Sequence, residues 1–177
     1  MRINNKNYFN LVRGASFVTT GGGIPIIDQL MSIKKLRNLN VRLQTLIDFP
    51  KNSFICLAAE LGPVDVPPLD KKQTIKKMLE ILEHVSNKKI SGIYPPEMGQ
   101  ESVVMEAAHL LSLPVADFDT VGFRAVPYID INIFNLKDMD ISYTPMVIST
   151  DRDEIFLLDN SFSYVKLENT LRQMTQR

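Results

Sequence analysis

Cysteine, histidine and surplus charge are all scarce in this chain. A single cysteine among 177 residues, Cys56, rules out an internal disulfide. It sits in the apolar run Phe54-Ile55-Cys56-Leu57-Ala58, where a buried structural thiol is expected rather than a nucleophile. The two histidines, His84 and His109, fall within helical patterns and have no cysteine or carboxylate partners at zinc-ligand spacing. Twenty basic and twenty acidic residues cancel, so no nucleic-acid surface and no charged tail is expected. The basic stretches Lys34-Lys35-Leu36-Arg37 and Lys71-Lys72 read as solvated helix faces. No apolar run approaches 18 residues and no secretory leader pattern opens the chain, so no membrane association and a cytoplasmic location are expected. No serine stands in a G-x-S-x-G context, which removes the hydrolase elbow.

The pattern predicts one α/β domain over 1–177, with a mixed, mostly parallel sheet layered with helices and a β-rich C-terminal extension. A short polar lead-in comes first. Strands are expected at 15–20, 41–47, 54–59, 89–94 and 113–118, and helices at 25–38, 70–85 and 101–111. Beyond Gly122, short strands are expected at 129–134, 144–149, 154–158 and 161–165, before a last helix at 167–174. The run at 54–59, apolar on both faces, reads as a central strand. The expected core includes Phe17, Val18, Ile27, Leu30, Phe54, Ile55, Leu57, Leu79, Leu82, Ile93, Ala107, Leu111, Val115 and Ile131.

Glycine is sparse, at eight residues, yet three of the eight are consecutive: Thr19-Thr20-Gly21-Gly22-Gly23-Ile24-Pro25. Such a run costs backbone entropy on folding and is kept where a side chain would clash or φ must be positive. Placed before a helix, it offers free N–H groups at the positive end of a dipole, suited to an anion or a polarised carbonyl oxygen. A tight turn with no ligand is the plainer alternative. The run lacks the Lys-Ser/Thr of a P-loop and the full G-x-G-x-x-G, so no nucleotide cofactor is expected.

In open α/β sheets ligands bind beyond the carboxyl ends of the strands. Those ends carry Glu60 with Gly62, Glu97 with Gly99, and Asp117 and Asp119 with Arg124. If the strands are parallel neighbours, these carboxylates converge on the glycine turn. Close carboxylates can divide acid and base roles between them, or hold a divalent cation through oxygen ligands, or be oriented by Arg124. Glu97 could instead cap the next helix, and Asp117 could serve a turn. The convergence reading expects Gly21 to Gly23 against the Asp117–Asp119 loop, with Arg124 paired to a carboxylate.

At these residues the chain resembles the N-terminal domain of the S-methyl thiohydantoin desulfurase-like family, whose members often accompany hydantoinase and oxoprolinase proteins. The likeness rests on the glycine turn ending at Pro25, on Leu61-Gly62-Pro63 with Asp70-Lys71, and on Glu97-Met98-Gly99. Its most specific part is Leu113-Pro114-Val115-Ala116-Asp117-Phe118-Asp119-Thr120-Val121-Gly122-Phe123-Arg124-Ala125-Val126-Pro127. The sequence departs from the family pattern at Gln100, where a second glycine is usual, at Ser102, at the inserted Phe123, and at Tyr128, where an acid is usual. The likeness places the family domain at 12–150 and reads 151–177 as the opening of a second domain. It implies a small-molecule-binding, enzyme-like domain acting on cyclic amide or thiohydantoin-like rings, with hydrolase or desulfurase chemistry. In that reading Glu97, Asp117, Asp119 and Arg124 are catalytic, and Thr19, Thr20, Gly21, Gly22, Gly23, Glu60 and Gly99 bind the ligand. The departures equally suit a non-catalytic binding or regulatory subunit, working as a homo-oligomer or with a partner chain that supplies the second domain.

Overall fold

The structure is a computed structural model and describes residues 1–19, 23–36, 38–60, 72–118, 144–150, 152, 154–159 and 164–175. The chain divides into two compact units. The first holds Met1–Glu60 and Ile90–Asp119, with residues 64–67; the second holds Pro68–Lys89 and Thr120–Arg177, with 61–63.

The first unit opens with strand β1 (Arg2–Asn4) and helix α1 (Asn5–Thr19). Asn4 starts the helix: its Oδ1 accepts the backbone N–H of Lys6 and of Asn7, both at 3.0 Å. An asparagine in this position satisfies two of the donors that a helix start leaves without partners. Tyr8, Val12 and Ala15 then face inward at helical spacing and are buried. The strand expected at 15–20 is therefore corrected: Ala15 to Thr19 are helical. Phe17 and Val18, expected in the core, are 86% and 50% exposed, because they fall off the Tyr8–Val12–Ala15 stripe. The polar lead-in is likewise a strand and a helix cap.

Helix α2 (Ile26–Lys34) begins after Pro25 and buries Gln29 and Ile33. Ile27, also expected in the core, is 61% exposed. Strand β2 (Asn40–Gln44) follows, then a 3-10 turn at Leu46–Asp48 and strand β3 (Phe54–Leu57). Strand β4 (Ile90–Tyr94), helix α4 (Glu101–Leu111) and the two-residue strand β5 (Val115–Ala116) complete the unit. The helix between β3 and β4, α3 (Lys72–Ser86), belongs to the second unit.

The sheet order is β1-β2-β5-β4-β3, with β1 antiparallel to β2 and the other pairings parallel. The mixed, mostly parallel α/β architecture expected from the sequence is thus what the chain adopts. Strand β3 lies at one end of this order rather than in its centre. Helix α2 packs against both α1 and α4. The core holds Ile3, Tyr8, Val12, Val41, Ile93, Val104 and Val115, all nearly inaccessible; Cys56 is buried as expected. Gly92 is required where β4 passes the start of β5. A Cβ there would lie 2.6 and 2.9 Å from the Phe49 ring and 3.2 Å from the Pro114 carbonyl oxygen. Gly92→Ala is expected to destabilise the protein by about 1–3 kcal/mol through overpacking, read as a lower urea midpoint. An unshifted midpoint would show that the Phe49 ring swings away freely.

In the second unit, α3 carries the exposed Lys76–Glu80 ion pair at 3.8 Å and packs against strand β6 (Met146–Ser149). Strand β6 pairs antiparallel with β7 (Ile155–Leu158), a small two-stranded sheet where a β-rich extension was expected. Helix α5 (Tyr164–Thr175) overturns the last part of the strand expected at 161–165. The strand expected at 129–134, and Ile131 with it, lies outside the described residues.

Candidate functional site

Parallel pairing sends the chain out of β3, β4 and β5 at the same end of the first unit's sheet. Glu60 follows β3, the turn Glu97-Met98-Gly99-Gln100 follows β4, and Asp117 follows β5. The connection between α1 and α2 reaches this rim through its last glycine. Gly23 has φ +79°, and a Cβ on it would stand 2.8 Å from both Gly99 Cα and Gly99 O. Gly99 itself has φ +95°. Backbone thus rests on backbone, and the Ile24 N–H donates to Gly99 O at 2.9 Å. This close approach is what the glycine run makes room for at position 23.

Three side chains fasten the turn. The Glu101 carboxylate, at the start of α4, accepts the Gly99 N–H at 3.0 and 3.1 Å to its two oxygens. Gln100 pairs reciprocally with the main chain of Glu60: its Oε1 accepts the Glu60 N–H at 3.2 Å and its Nε2 donates to Glu60 O at 3.2 Å. Gln29 of α2, 1% exposed, donates from Nε2 to Ile24 O at 3.0 Å and accepts the Ser102 N–H on Oε1 at 3.3 Å. Beneath it the buried Tyr8 hydroxyl donates to Gln29 O at 3.4 Å.

The electrostatics follow from this burial. Glu97 is half-buried, and loss of solvation lifts its carboxyl above the usual range. Burial likewise raises Glu101, against the pull of the Gly99 N–H and the Gln29 amide, and the nearby Glu97 charge adds to the rise. Burial also pushes the Tyr8 hydroxyl well above its ordinary range, and the Glu101 charge acts in the same direction. The rim therefore holds two carboxyls raised by burial, one of which, Glu97, is partly open to solvent. Such a group exchanges protons nearer neutrality than an ordinary glutamate does.

The residues singled out in the sequence divide as follows. Gly23, Gly99, Glu97 and Glu60 come together on the turn after β4. Thr19 ends α1, with its hydroxyl donating to Ser16 O at 3.5 Å. Asp117 is exposed, and its N–H donates to Gln44 O at 2.6 Å, continuing the β2–β5 ladder. The ring pair Tyr94–Phe118, edge-on at 5.3 Å, links the end of β4 to the segment after β5. Gly23 meets the Glu97–Gly99 turn through Gly99; the expected approach of Gly21, Gly22 and Asp119 involves residues outside the described ones. Thr20, Gly21, Gly22, Asp119 and Arg124 lie outside the described residues. Glu97 does not cap α4; Glu101 takes hold of the turn instead.

Sequence reasoning missed Glu101, Gln29 and Gln100. Gln29 did carry a signal, as a polar residue between Ile26 and Ile33 on an otherwise apolar stripe. Among the described residues, no group of three or more His, Cys, Asp or Glu is placed to hold a metal ion, and no helix is long and apolar enough to cross a membrane.

Comparison with known proteins gives a family and a fold. The model of the family described as "S-Me-THD-like, N-terminal domain" matches residues 7–160. No curated protein matches. An X-ray structure of a protein from Chromobacterium violaceum superposes with TM-score 0.75 at 20% identity, over 98% of this chain and 49% of that one. The chain thus spans about half the length of that structure.

Proposed function

The chain belongs to the S-Me-THD-like family, as an N-terminal domain, and on that premise we propose that it binds a small cyclic amide or thiohydantoin-like molecule at the rim after β3 and β4, with Glu97 as the proton-carrying group. The observation that carries the reading is the half-buried Glu97 carboxyl, lifted by desolvation beside the Gly23–Gly99 contact. A carboxyl in this state can give a proton to a ring heteroatom or take one from an attacking water. Asp117 at the same sheet end, and Asp119 and Arg124 further along the chain, are the remaining candidates for these roles. Hydrolase and desulfurase chemistry both fit a proton carrier of this kind.

The proposal is tested with a panel of hydantoins, S-methyl thiohydantoins and oxoproline, read by thermal shift and by product formation. Stabilisation by one ring class is expected, with turnover lost in Glu97→Gln by about 10²–10⁴-fold. Absence of both binding and turnover across the panel would overturn the reading. Stability provides an independent check. A carboxyl whose folded pKa lies above its unfolded value weakens the fold as pH rises from about 4.3 through the folded pKa, and its effect is constant above that. Glu97→Gln is therefore expected to flatten stability across this window and to leave the neutral-pH midpoint equal or higher. A steeper pH dependence in the variant would contradict the desolvated carboxyl.

A second reading, a binding or regulatory subunit without turnover, is favoured by Gln100. Its amide fills the rim at Glu60, at a position where the family pattern has glycine. Ligand binding by the wild-type chain with no product from any ring would select it. Light scattering then tests for the homo-oligomer or partner chain that this reading requires.

A further inference from the structure

The other end of the same sheet carries a second concavity of about 550 Å³, at the amino ends of β2 and β5. Its lining includes Arg2, Asn40, Arg42, His109, Ser112 and Pro114, and no carboxylate among the described residues. Arg2 and Arg42 are register partners across the antiparallel β1–β2 pair. Their neighbours Ile3 and Val41 are buried while both arginines are exposed, so the two guanidinium groups share the outward face. Like charges directly opposite one another on a sheet are destabilising. The arrangement is also positioned, since Asn40 Oδ1 accepts from Arg2 Nη1 at 2.9 Å. His109 adds a third basic side chain from the last turn of α4. Ser112, in the left-handed conformation with φ 57°, ends that helix and turns the chain into Pro114.

In a chain of zero net charge, this is a local concentration of cationic and neutral hydrogen-bond donors. We propose that the concavity is a binding site for a phosphate-type dianion, either the free ion or a phosphomonoester. Two forked guanidinium groups and an imidazole can offer N–H donors to the oxygens of one tetrahedral anion, and neutralising the Arg2–Arg42 pair relieves their repulsion. The site lies at the opposite end of the parallel strands from Glu97. It therefore concerns a different ligand from the ring molecule proposed above, and its test is independent of that proposal.

The experiment titrates the full chain with inorganic phosphate and, separately, with glycerol phosphate. Chloride is exchanged to hold ionic strength constant, and the His109 ring signals are followed by NMR. Saturable shifts are expected in at least one titration. Arg42→Ala should weaken that binding about tenfold or more, whereas Lys76→Ala, on α3, should leave it unchanged. Arg2→Gln serves as the second variant if Arg42→Ala does not fold. Saturation by phosphate alone assigns the site to the free ion; saturation by the ester as well assigns it to a phosphorylated small molecule. Shifts that grow linearly without saturation, or equal affinity in the arginine variant, would overturn the proposal.

Discussion

Gly23→Ala is expected to lower the free energy of unfolding by about 2–4 kcal/mol. Two costs combine. The position has φ +79°, which a residue with a Cβ adopts only under strain, and the added carbon would stand 2.8 Å from both Gly99 Cα and Gly99 O. Neither neighbour is the tip of a flexible side chain that could rotate away. Either the Ile24–Gly99 hydrogen bond breaks, or the turn after β4 moves and takes Glu97 with it. Ring-ligand binding should therefore be lost together with stability. Gly14→Ala is the control, because a Cβ at Gly14 meets nothing within 4 Å and the residue lies inside α1. That change should be neutral or stabilising by up to about 1 kcal/mol. If chemical denaturation gives the two variants the same midpoint, the backbone contact does not have the weight assigned to it.

Gln29→Leu should cost about 3 kcal/mol or more. The substitution keeps the volume and removes both ends of a buried amide. Ile24 O loses its donor and the Ser102 N–H loses its acceptor, at about 1–3 kcal/mol for each group left buried without a partner. Glu101 also loses the amide that favours its charged form, so its carboxyl should rise further. The loss should appear as a lower urea midpoint, larger at neutral pH than at pH 4, where Glu101 takes up its proton and the missing amide matters less. A fall of less than about 1 kcal/mol, equal at both pH values, would mean that water replaces the amide.

How far the sequence foretold this arrangement depends on the element. Helix α4 was legible to the residue, because Val104, Ala107 and Ala108 mark one face and Pro114 closes the exit after Ser112. Strand β4 was legible as a short apolar run between Lys89 and Pro95-Pro96. Helix α1 was not. Gly14 interrupts it, and Ala15-Ser16-Phe17-Val18 looks like a strand when separated from Tyr8 and Val12, which share its buried stripe. The deciding signal was the Asn4 cap, a side-chain oxygen bonded to two backbone donors. A run of asparagines conceals this, because each member can serve equally well as cap or as loop. At the site, the rule that ligands sit beyond the carboxyl ends of strands pointed to Glu60, Glu97 and Gly99, which do follow β3 and β4, whereas Gly23 was singled out behind an expected strand that is instead helix α1. Glu101, Gln29 and Gln100 were missed because their roles arise from contacts across 2, 73 and 40 positions of chain; the stripe marked Gln29 as a polar residue facing inward, but spacing does not name partners that far away.

The fastening of the Glu97–Gln100 turn also bears on how tightly a ligand can be held. A binding loop that is loose in the free protein must be ordered when the ligand arrives, and that ordering subtracts from affinity, at about 0.5–1.5 kcal/mol for each immobilised side chain. Here Gly99 is bound by Glu101, Glu60 by Gln100, and Ser102 by Gln29 before any ligand is present. The main chain at Gly99, Glu60 and Ser102 is thus already tied down by folding. In the ring-binding reading proposed above, a ligand would have less of this stretch to order on arrival, and selectivity would rest more on its fit against that stretch.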